Sequence, residues 1–227
     1  MSTLCTICAR GGSTGLPRKN VKPLAGRPLI AHTIAQALAT PGIDRVVVST
    51  DDDEIAAVAR AHGAEVPFRR PAELATSSAP KVPVIRHAVE TMESLGMTVD
   101  RVVDLDPTSP LRTVQDVVDC LALLDGATDV VITGYPSEKN PYFNMVESKP
   151  DGNIGLVVPG HGAAGRQAAP AVWSMNASVY VWHRRTLALG LWDGRVRLHV
   201  MPRERSIDID SELDFRLVEM LMAEARR

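Results

Sequence analysis

The chain has 227 residues, of which 45% are hydrophobic, and its 25 Lys and Arg against 27 Asp and Glu give a formal net charge of −2. This length suits one α/β domain with a small insertion, and the apolar content excludes a globally disordered chain. The balanced charge excludes a bulk nucleic-acid binder, which usually shows a basic excess. Because no apolar run reaches the roughly 18 residues of a membrane span and no signal sequence is evident, we expect a cytoplasmic protein that contacts no membrane.

The first part of the chain alternates predicted strands with predicted helices. Strands are predicted at 3–9, 45–50, 65–70, 101–107 and 129–136, and helices at 28–40, 51–63, 81–96 and 113–126. This alternation is typical of an α/β fold with a parallel sheet and right-handed crossovers. Ligands of such sheets bind at the carboxyl ends of the strands, where the loop after the first strand would lie.

After residue 136 the pattern changes. The stretch 142–160 predicts a β-hairpin, because KPDGN at its centre is a good turn sequence. Strands at 178–184 and 195–202 and an amphipathic helix at 212–227 complete the chain. We therefore interpret residues 1–227 as one domain in which 137–172 is an insertion, an arm that covers the site or pairs with another subunit.

A glycine-rich basic loop, CARGGSTGLPRKN at 8–20, follows the first strand. Its glycines let the backbone turn tightly and approach a ligand, and successive N–H groups can converge on phosphate oxygens. Arg10, Arg18 and Lys19 add positive charge. The loop matches neither the P-loop nor the G-x-G-x-x-G pattern. We interpret it as a polyphosphate site, the alternative being a surface turn that happens to be basic.

Two aspartates stand two residues apart in RSIDIDSELDF at 205–215. In an extended run, positions i and i+2 point to the same face, so Asp208 and Asp210 would present their carboxylates together. Such a pair suits Mg²⁺, which commonly bridges carboxylates and substrate phosphates. The alternative is that the pair only precedes the last helix, with Ser211 as its N-cap.

A third polar segment, DLDPTSPLRT at 104–113, ends a predicted strand between Asp106 and Arg112. Taken alone, it could be a loop that caps the following helix. Taken with the basic loop and the aspartate pair, it predicts one cleft at the strand ends that binds phosphates and a metal ion.

The ordered motifs resemble those of the CMP-sialic acid synthetases, or acylneuraminate cytidylyltransferases, over nearly the whole chain. The motifs are ARGGSTGLPRKN, PLAGRPLIAHTI, VVVSTDDDEIA, RRPAELA, DPTSPLRT, MNASVYV and SIDIDSELD. NPYFNMVE and MNASVYVWHR are more similar to the legionaminate-type branch. The resemblance implies a Rossmann-like fold, a mostly parallel sheet flanked by helices, and a homodimer in which a small β-rich arm reaches the neighbour's site. It also implies CTP and Mg²⁺, with attack of the anomeric hydroxyl of a nonulosonic acid on the α-phosphate and release of pyrophosphate.

The resemblance further implies roles for individual residues. Lys19, Asp210 and Arg10 would be catalytic, and Asp208 and Asp210 would hold Mg²⁺. The nucleotide would contact Arg10, Gly11, Gly12, Ser13, Thr14, Lys19, Asn20 and Arg70. The small acidic acceptor would contact Asp106, Arg166, Asn176 and Tyr180.

The sequence departs from the family pattern at several of these positions. Thr14 replaces a Lys that usually contacts phosphate, and Arg18 could compensate because a guanidinium also suits phosphate. Asp106 replaces a Gln and would repel an acidic sugar unless it meets a cation, a second Mg²⁺ or an amino group of the substrate. VWSMNAS lacks an Arg of the sialate enzymes, and NPYFNM lacks the partner-subunit Lys that meets the sugar carboxylate.

The acceptor is therefore the open question. A legionaminate-like di-N-acyl sugar is the first expectation, and a small phosphonate is the alternative, since relatives of this fold cytidylylate phosphonates. A non-catalytic CTP-binding module is favoured by Thr14 but opposed by Lys19 and the aspartate pair. A dehydrogenase would place an acidic residue after its second strand, as Asp51 and Asp52 do here, but the glycine spacing is wrong for a dinucleotide.

Overall fold

The computed structural model describes residues 1–13, 15–160, 162 and 165–225. The strands are β1 (Thr3–Cys8), β2 (Pro23–Leu24), β3 (Arg27–Pro28), β4 (Arg45–Ser49), β5 (Arg101–Leu105), β6 (Val130–Pro136), β7 (Val146–Ser148), β8 (Ile154–Leu156), β9 (Trp173–His183) and β10 (Val196–Val200). The helices are α1 (Leu29–Ala39), α2 (Asp53–Ala61), α3 (Lys81–Ser94), α4 (Val114–Leu123) and α5 (Glu212–Glu224). Within the described ranges, no helix combines the length and the apolar character needed to cross a bilayer.

Six strands form the central sheet in the order β10-β6-β9-β5-β1-β4. β1 pairs in parallel with β4 and β5, and β10 pairs in parallel with β6. β9 runs antiparallel to both of its neighbours, β5 and β6. All strands of this sheet except β9 therefore point the same way, which confirms the predicted α/β fold with a mostly parallel sheet.

The reversed strand follows from the connection that precedes it. Pro136 at the end of β6 pairs with Trp173 at the start of β9, so the chain leaves the sheet and returns beside the same strand. A return of this kind gives an antiparallel pair, whereas a parallel neighbour needs a crossover. Outside the sheet, β7 and β8 form an antiparallel hairpin whose turn lies in the predicted KPDGN stretch.

The predicted strand at 65–70 is wrong. Glu65 forms only an isolated parallel bridge with Val47, through Val48 N to Glu65 O at 2.8 Å and Glu65 N to Val46 O at 2.9 Å. Pro67, two residues later, has no N–H to donate to a sheet, so the pairing does not continue.

Helices cover both faces of the sheet. One buried cluster joins the sheet to α1, α2 and α4, and includes Ile7, Ile34 and Val48. The other joins the opposite face to α3, and includes Val47 and Ile85. Val47 and Val48 are consecutive in β4 and point to opposite clusters, as the period of two in a strand requires.

A third cluster attaches the last helix to the loop after β1. This cluster contains Leu16 from that loop, Ile209 from the segment before α5, and Phe215 from α5 itself. Ile209 lies between Asp208 and Asp210 in sequence, so its burial in this cluster turns both carboxylates to the other side of the segment. Ser211 is also the N-cap of α5, within a capping box. The segment therefore does both things considered as alternatives from the sequence: it begins the last helix, and it presents two carboxylates on one side.

Candidate active site

A cleft opens where the chain changes direction across the sheet. From β1 the chain passes to β4 on one side, and it later enters β5 on the other side of β1. Loops diverge at such a switch point and leave a crevice at the carboxyl ends of the strands. Here the crevice has a volume of about 300 Å³. Its polar lining residues include Arg10, Ser13, Lys19, Asn20, Arg70, Thr76, Ser77, Lys81, Asp106, Thr108, Asp208 and Asp210.

Gly11, at the start of the loop, packs closely against the beginning of α2. Gly11 N donates to Asp51 Oδ1 at 3.0 Å, and a Cβ on Gly11 would lie 2.7 Å from Asp52 Oδ2. Gly11 and Gly12 are absent from the cleft lining. The Gly11 N–H is therefore already used, and the lack of a side chain there permits the close approach of α2. The predicted contacts of Gly11 and Gly12 with the nucleotide stay predictions.

Asn20 and Arg70 are buried where they meet the cleft. Asn20 Nδ2 donates to Arg10 O at 3.2 Å, while the buried Asn20 Oδ1 has no hydrogen-bond partner in the described chain. Arg70 Nε donates to Ser49 Oγ at 3.1 Å, and its guanidinium also donates to the Ser49 carbonyl. A buried acceptor left unpaired costs about 1–3 kcal/mol, so the free oxygen of Asn20 is suited to a donor on a ligand.

Lys19 connects the basic loop to the aspartate pair. Its Nζ donates to Ile209 O at 2.8 Å and to Asp210 Oδ1 at 2.9 Å. The Lys19 side chain is only 15% exposed, whereas that of Asp210 is 75% exposed. Gly15 lies so close to this segment that a Cβ on it would be 2.4 Å from Asp210 O. The two predicted halves of the site are therefore in direct contact.

Asp208 lies where the cleft disfavours its negative charge. Burial, reinforced by the charge of Asp106, raises the pKa of Asp208 to about 6. Its Oδ1 is buried and has no hydrogen-bond partner among the residues described. A cation beside this carboxylate would offset both effects, and an oxygen donor set suits Mg²⁺. The described residues contain no group of three or more His, Cys, Asp or Glu placed to hold a metal, so substrate phosphates would have to complete the coordination.

Asp106 already has a cation beside it, which sequence reasoning missed. Lys81, the first residue of α3, donates from Nζ to Asp106 Oδ2 at 2.8 Å and to Asp104 Oδ2 at 3.1 Å. Thr108 also donates to Asp106, through its Oγ1 at 2.7 Å. Burial alone would raise the pKa of Asp106, but Lys81 and Thr108 outweigh it and bring that pKa to about 2. The predicted conflict between Asp106 and an acidic ligand is therefore relieved within the chain.

The remaining predicted acceptor residues do not line the cleft. Asn176 is buried, accepts from Thr133 Oγ1 at 2.6 Å and donates to Ser206 Oγ at 2.9 Å. Tyr180 is buried in β9 beneath the Lys81 ammonium, whose nitrogen lies 4.9 Å from the ring centroid. Both side chains are engaged by neighbours within the fold, and their predicted contacts with the acceptor stay predictions. The side chain of Arg166 lies outside the described part of the chain.

The segment that carries the aspartate pair is anchored just before it begins. Arg205 donates from its terminal nitrogen to Asp116 Oδ1 at 2.8 Å, and Asp116 also accepts from Thr113 in the capping box of α4. Burial would raise the pKa of Asp116, but hydrogen bonds from His199, Arg205 and Thr113 hold it well below its usual range. This anchor joins the segment to α4.

Arg18 does not take over the position of the missing lysine. Its guanidinium pairs with Glu54 on α2, with both side chains more than half exposed, and it is absent from the cleft lining. Its backbone adopts the left-handed conformation, with φ 57°. Thr14 itself lies outside the described residues, so its predicted contact stays a prediction.

Comparison with known proteins gives one family match. Residues 4–116 match the family described as Cytidylyltransferase. These residues carry the basic loop, Arg70, Lys81 and Asp106, and therefore most of the cleft.

Relatives match over nearly the full chain. A CMP-N,N'-diacetyllegionaminic acid synthase of Campylobacter jejuni is 39% identical over 97% of this chain and 94% of its own length. A protein of the same name from Legionella pneumophila is 30% identical over 98% of this chain and 97% of its own length. A post-translational flagellin modification protein B of Campylobacter coli is 38% identical over 97% and 95%. Among solved structures, a CMP:2-keto-3-deoxy-manno-octonic acid synthetase complexed with CTP superposes with a TM-score of 0.72 over 99% of this chain and 100% of its own, at 19% identity, which supports the fold.

Proposed function

This chain belongs to the cytidylyltransferases of the CMP-sialic acid synthetase type, and from that premise we propose that it transfers CMP from CTP to the anomeric hydroxyl of a nonulosonic acid. In this reaction the hydroxyl oxygen forms a bond to the α-phosphorus, and the bond from that phosphorus to the bridging oxygen of pyrophosphate breaks. The observation that carries the proposal is the contact between Lys19 and Asp210, which brings a phosphate-binding loop and a carboxylate pair into one cleft.

The nucleotide half of the proposal rests on the cations of the cleft. Phosphoryl transfer needs mainly positioning and charge neutralisation from a protein, and Arg10 and Lys19 supply two positive charges next to Ser13. Asn20, with its unpaired buried oxygen, and the buried Arg70 line the same cleft and would meet the rest of the nucleotide. These roles need no covalent intermediate on the protein.

We propose that Asp208 and Asp210 hold Mg²⁺. The unpaired Oδ1 of Asp208 and the exposed carboxylate of Asp210 supply oxygen ligands on one side of the segment. When bound there, the ion would polarise the α-phosphate and offset its developing charge. Lys19, now bonded to Asp210, would then be free to meet a phosphate oxygen.

A legionaminate-type di-N-acyl sugar acid is the acceptor we propose. Two relatives with near-complete coverage, 39% and 30% identical to this chain, are named CMP-N,N'-diacetyllegionaminic acid synthases. The small phosphonates of the alternative reading serve as the negative control of the test.

We also propose that two chains associate through the arm. Large apolar side chains are exposed on β7, β8 and the start of β9, and they include Val146, Ile154 and Trp173, at 60%, 62% and 49% exposure. Exposed apolar clusters of this kind are typical of protein interfaces. Light scattering of the purified chain would test this, with Val146→Asp and Ile154→Asp expected to give monomers, and a monomeric unmodified chain contradicting it.

Pyrophosphate release tests the proposed reaction. The purified protein would be incubated with CTP, Mg²⁺ and each member of a panel of nonulosonic acids and small phosphonates. We expect release with a di-N-acyl nonulosonic acid, and none when ATP, GTP or UTP replaces CTP. Pyrophosphate release with a phosphonate and with no nonulosonic acid would overturn the acceptor assignment. No release with any member of the panel would contradict the proposed reaction.

A further inference from the structure

One cation in the cleft has no ligand assigned to it so far. Lys81 lines the cleft together with Asp106 and Thr108. Its Nζ is fixed by Asp104 and Asp106 and lies over the ring of Tyr180, and its side chain is 28% exposed. The ammonium group is therefore held in place and still reaches the cleft.

The charges around Lys81 keep it positive. Burial would lower its pKa, but Asp104 and Asp106 outweigh burial and raise the pKa well above its usual value. Asp104 is completely buried, and its other oxygen accepts from Thr6 Oγ1 at 2.8 Å. A buried carboxylate of this kind is a fixed support for the lysine, because leaving it unpaired would be strongly unfavourable.

The other cations that line the cleft are assigned to the nucleotide half of the proposal. Arg70 is bound to Ser49, and Lys19 is bound to the segment of Asp210. Arg10 belongs to the basic loop, where its guanidinium donates to a loop carbonyl. Within the described part of the cleft, Lys81 is the lining cation that pairs with Asp106.

An acidic acceptor must therefore enter a region that is rich in carboxylates. Asp106, Asp208 and Asp210 all line the cleft. Lys81 offsets the charge of Asp106, while the charges of Asp208 and Asp210 oppose binding of a further anion. An ammonium group offers three donors, and two of those on Lys81 go to Asp104 and Asp106. The third donor can pair with an incoming anion.

We propose that Lys81 binds the carboxylate of the acceptor and so selects for acidic acceptors. This inference rests on the proposed function, since it assigns the anion of the sugar acid to a named group in the same cleft. Asp104 and Asp106 act as positioning residues for the lysine. A site built around a buried charge rejects a ligand that lacks the matching group, so a neutral acceptor should be disfavoured.

The test compares the sugar acid with an uncharged analogue in which a carboxamide replaces the carboxylate. N,N'-diacetyllegionaminic acid and its C1 carboxamide would be titrated into the protein by calorimetry, and their turnover would be followed by pyrophosphate release. In the unmodified protein we expect the acid to bind about tenfold or more tightly than the amide, as for a hydrogen bond between charged groups. In Lys81→Met this preference should vanish, in Lys81→Arg it should be partly retained, and CTP binding should be unchanged in both.

Lys22→Met is the matched control. Lys22 also pairs with a carboxylate, Glu212 at 2.6 Å, and also lies over an aromatic ring, that of Phe215 at 4.3 Å from the centroid. Its side chain is 31% exposed, close to that of Lys81, but it does not line the cleft. Its substitution should leave the preference for the acid intact. If Lys81→Met fails to fold by thermal melting, Lys81→Gln keeps a donor for one carboxylate and removes the charge.

The outcomes separate the inference from the proposed function. A preference for the acid that persists in folded Lys81→Met or Lys81→Gln would overturn the inference alone. Weakened CTP binding in those variants would also overturn it, because Lys81 would then serve the nucleotide. Tight binding of the acid that depends on Lys81, without pyrophosphate release, would support the inference and contradict the proposed reaction. A protein that binds neither compound would contradict both.

Discussion

Gly15 is the position where a single methyl group should separate the two halves of the site. A Cβ on Gly15 would lie 2.4 Å from the backbone oxygen of Asp210, and real Cβ contacts essentially never fall below 3.0 Å. Gly15→Ala must therefore move the loop and the aspartate segment apart by at least the difference of 0.6 Å. The obstacle is backbone, so no side-chain rotation can relieve it.

The expected effect is larger on catalysis than on stability. A displacement of about 1 Å in a catalytic arrangement can cost about a hundredfold in rate, so we expect kcat/KM for CTP to fall by about ten- to a hundredfold. Overpacking at a loop should lower the free energy of unfolding by about 1 kcal/mol, or Tm by about 2–4 °C. Pyrophosphate release and thermal melting measure the two effects.

Gly12→Ala is the control for this prediction. Gly12 belongs to the same loop, but the nearest atom to its added Cβ would be a side-chain nitrogen of Arg10 at 3.6 Å, an ordinary contact. We expect this variant to keep most of its activity. Unchanged kcat/KM in Gly15→Ala, or an equal loss in Gly12→Ala, would refute the reasoning that the close approach of Gly15 to Asp210 sets the geometry of the site.

Three further predictions concern charged groups. Lys19→Ala should raise the KM for CTP and lower kcat, and steady-state kinetics that match the unmodified protein would place the phosphate site elsewhere. Asp210→Asn should abolish turnover without changing Tm, because its side chain is 75% exposed, and wild-type rates would exclude the metal role. Asp116→Asn should lower the free energy of unfolding by about 2 kcal/mol at neutral pH, unlike the control Asp119→Asn on the same helix. The pKa of Asp116 is depressed in the folded state, so its contribution to the free energy of unfolding is full above the unfolded pKa of about 3.9 and is lost as the pH falls further. In denaturant titrations at acid pH, the free energies of unfolding of Asp116→Asn and Asp119→Asn should therefore become equal.

Features with a local signature were predictable from sequence. The β7–β8 hairpin follows from one turn sequence, and the shared side of Asp208 and Asp210 follows from the period of two in an extended run. The same alternation places Ile209, which lies between them in sequence, in the core. The basic loop was recognisable because glycines and cations follow a buried strand, although the packing of Gly11 against Asp51 was not.

Features that depend on contacts between distant segments were not predictable. Lys81 opens a helix with no unusual local pattern, and its role appears only when α3 brings it to Asp104 and Asp106. Asn176 carries a polar side chain in a strand, which is equally consistent with a ligand contact and with the buried hydrogen bond to Ser206 that the fold provides. The signal that could have indicated Lys81 is the pair of aspartates at the end of β5, since a fully buried carboxylate requires a cation nearby.

With Mg²⁺ held by Asp208 and Asp210 as proposed, the contact between Lys19 and Asp210 predicts that nucleotide and metal bind as partners. Lys19 Nζ lies 2.9 Å from Asp210 Oδ1, so a ligand that takes either group competes with that ion pair. A phosphate that takes Lys19 leaves the Asp210 carboxylate without its partner, which favours a cation there. A cation that takes Asp210 in turn releases Lys19 for phosphate. Because this coupling is reciprocal by thermodynamic linkage, the proposed site should bind CTP and Mg²⁺ together more tightly than the separate affinities would give.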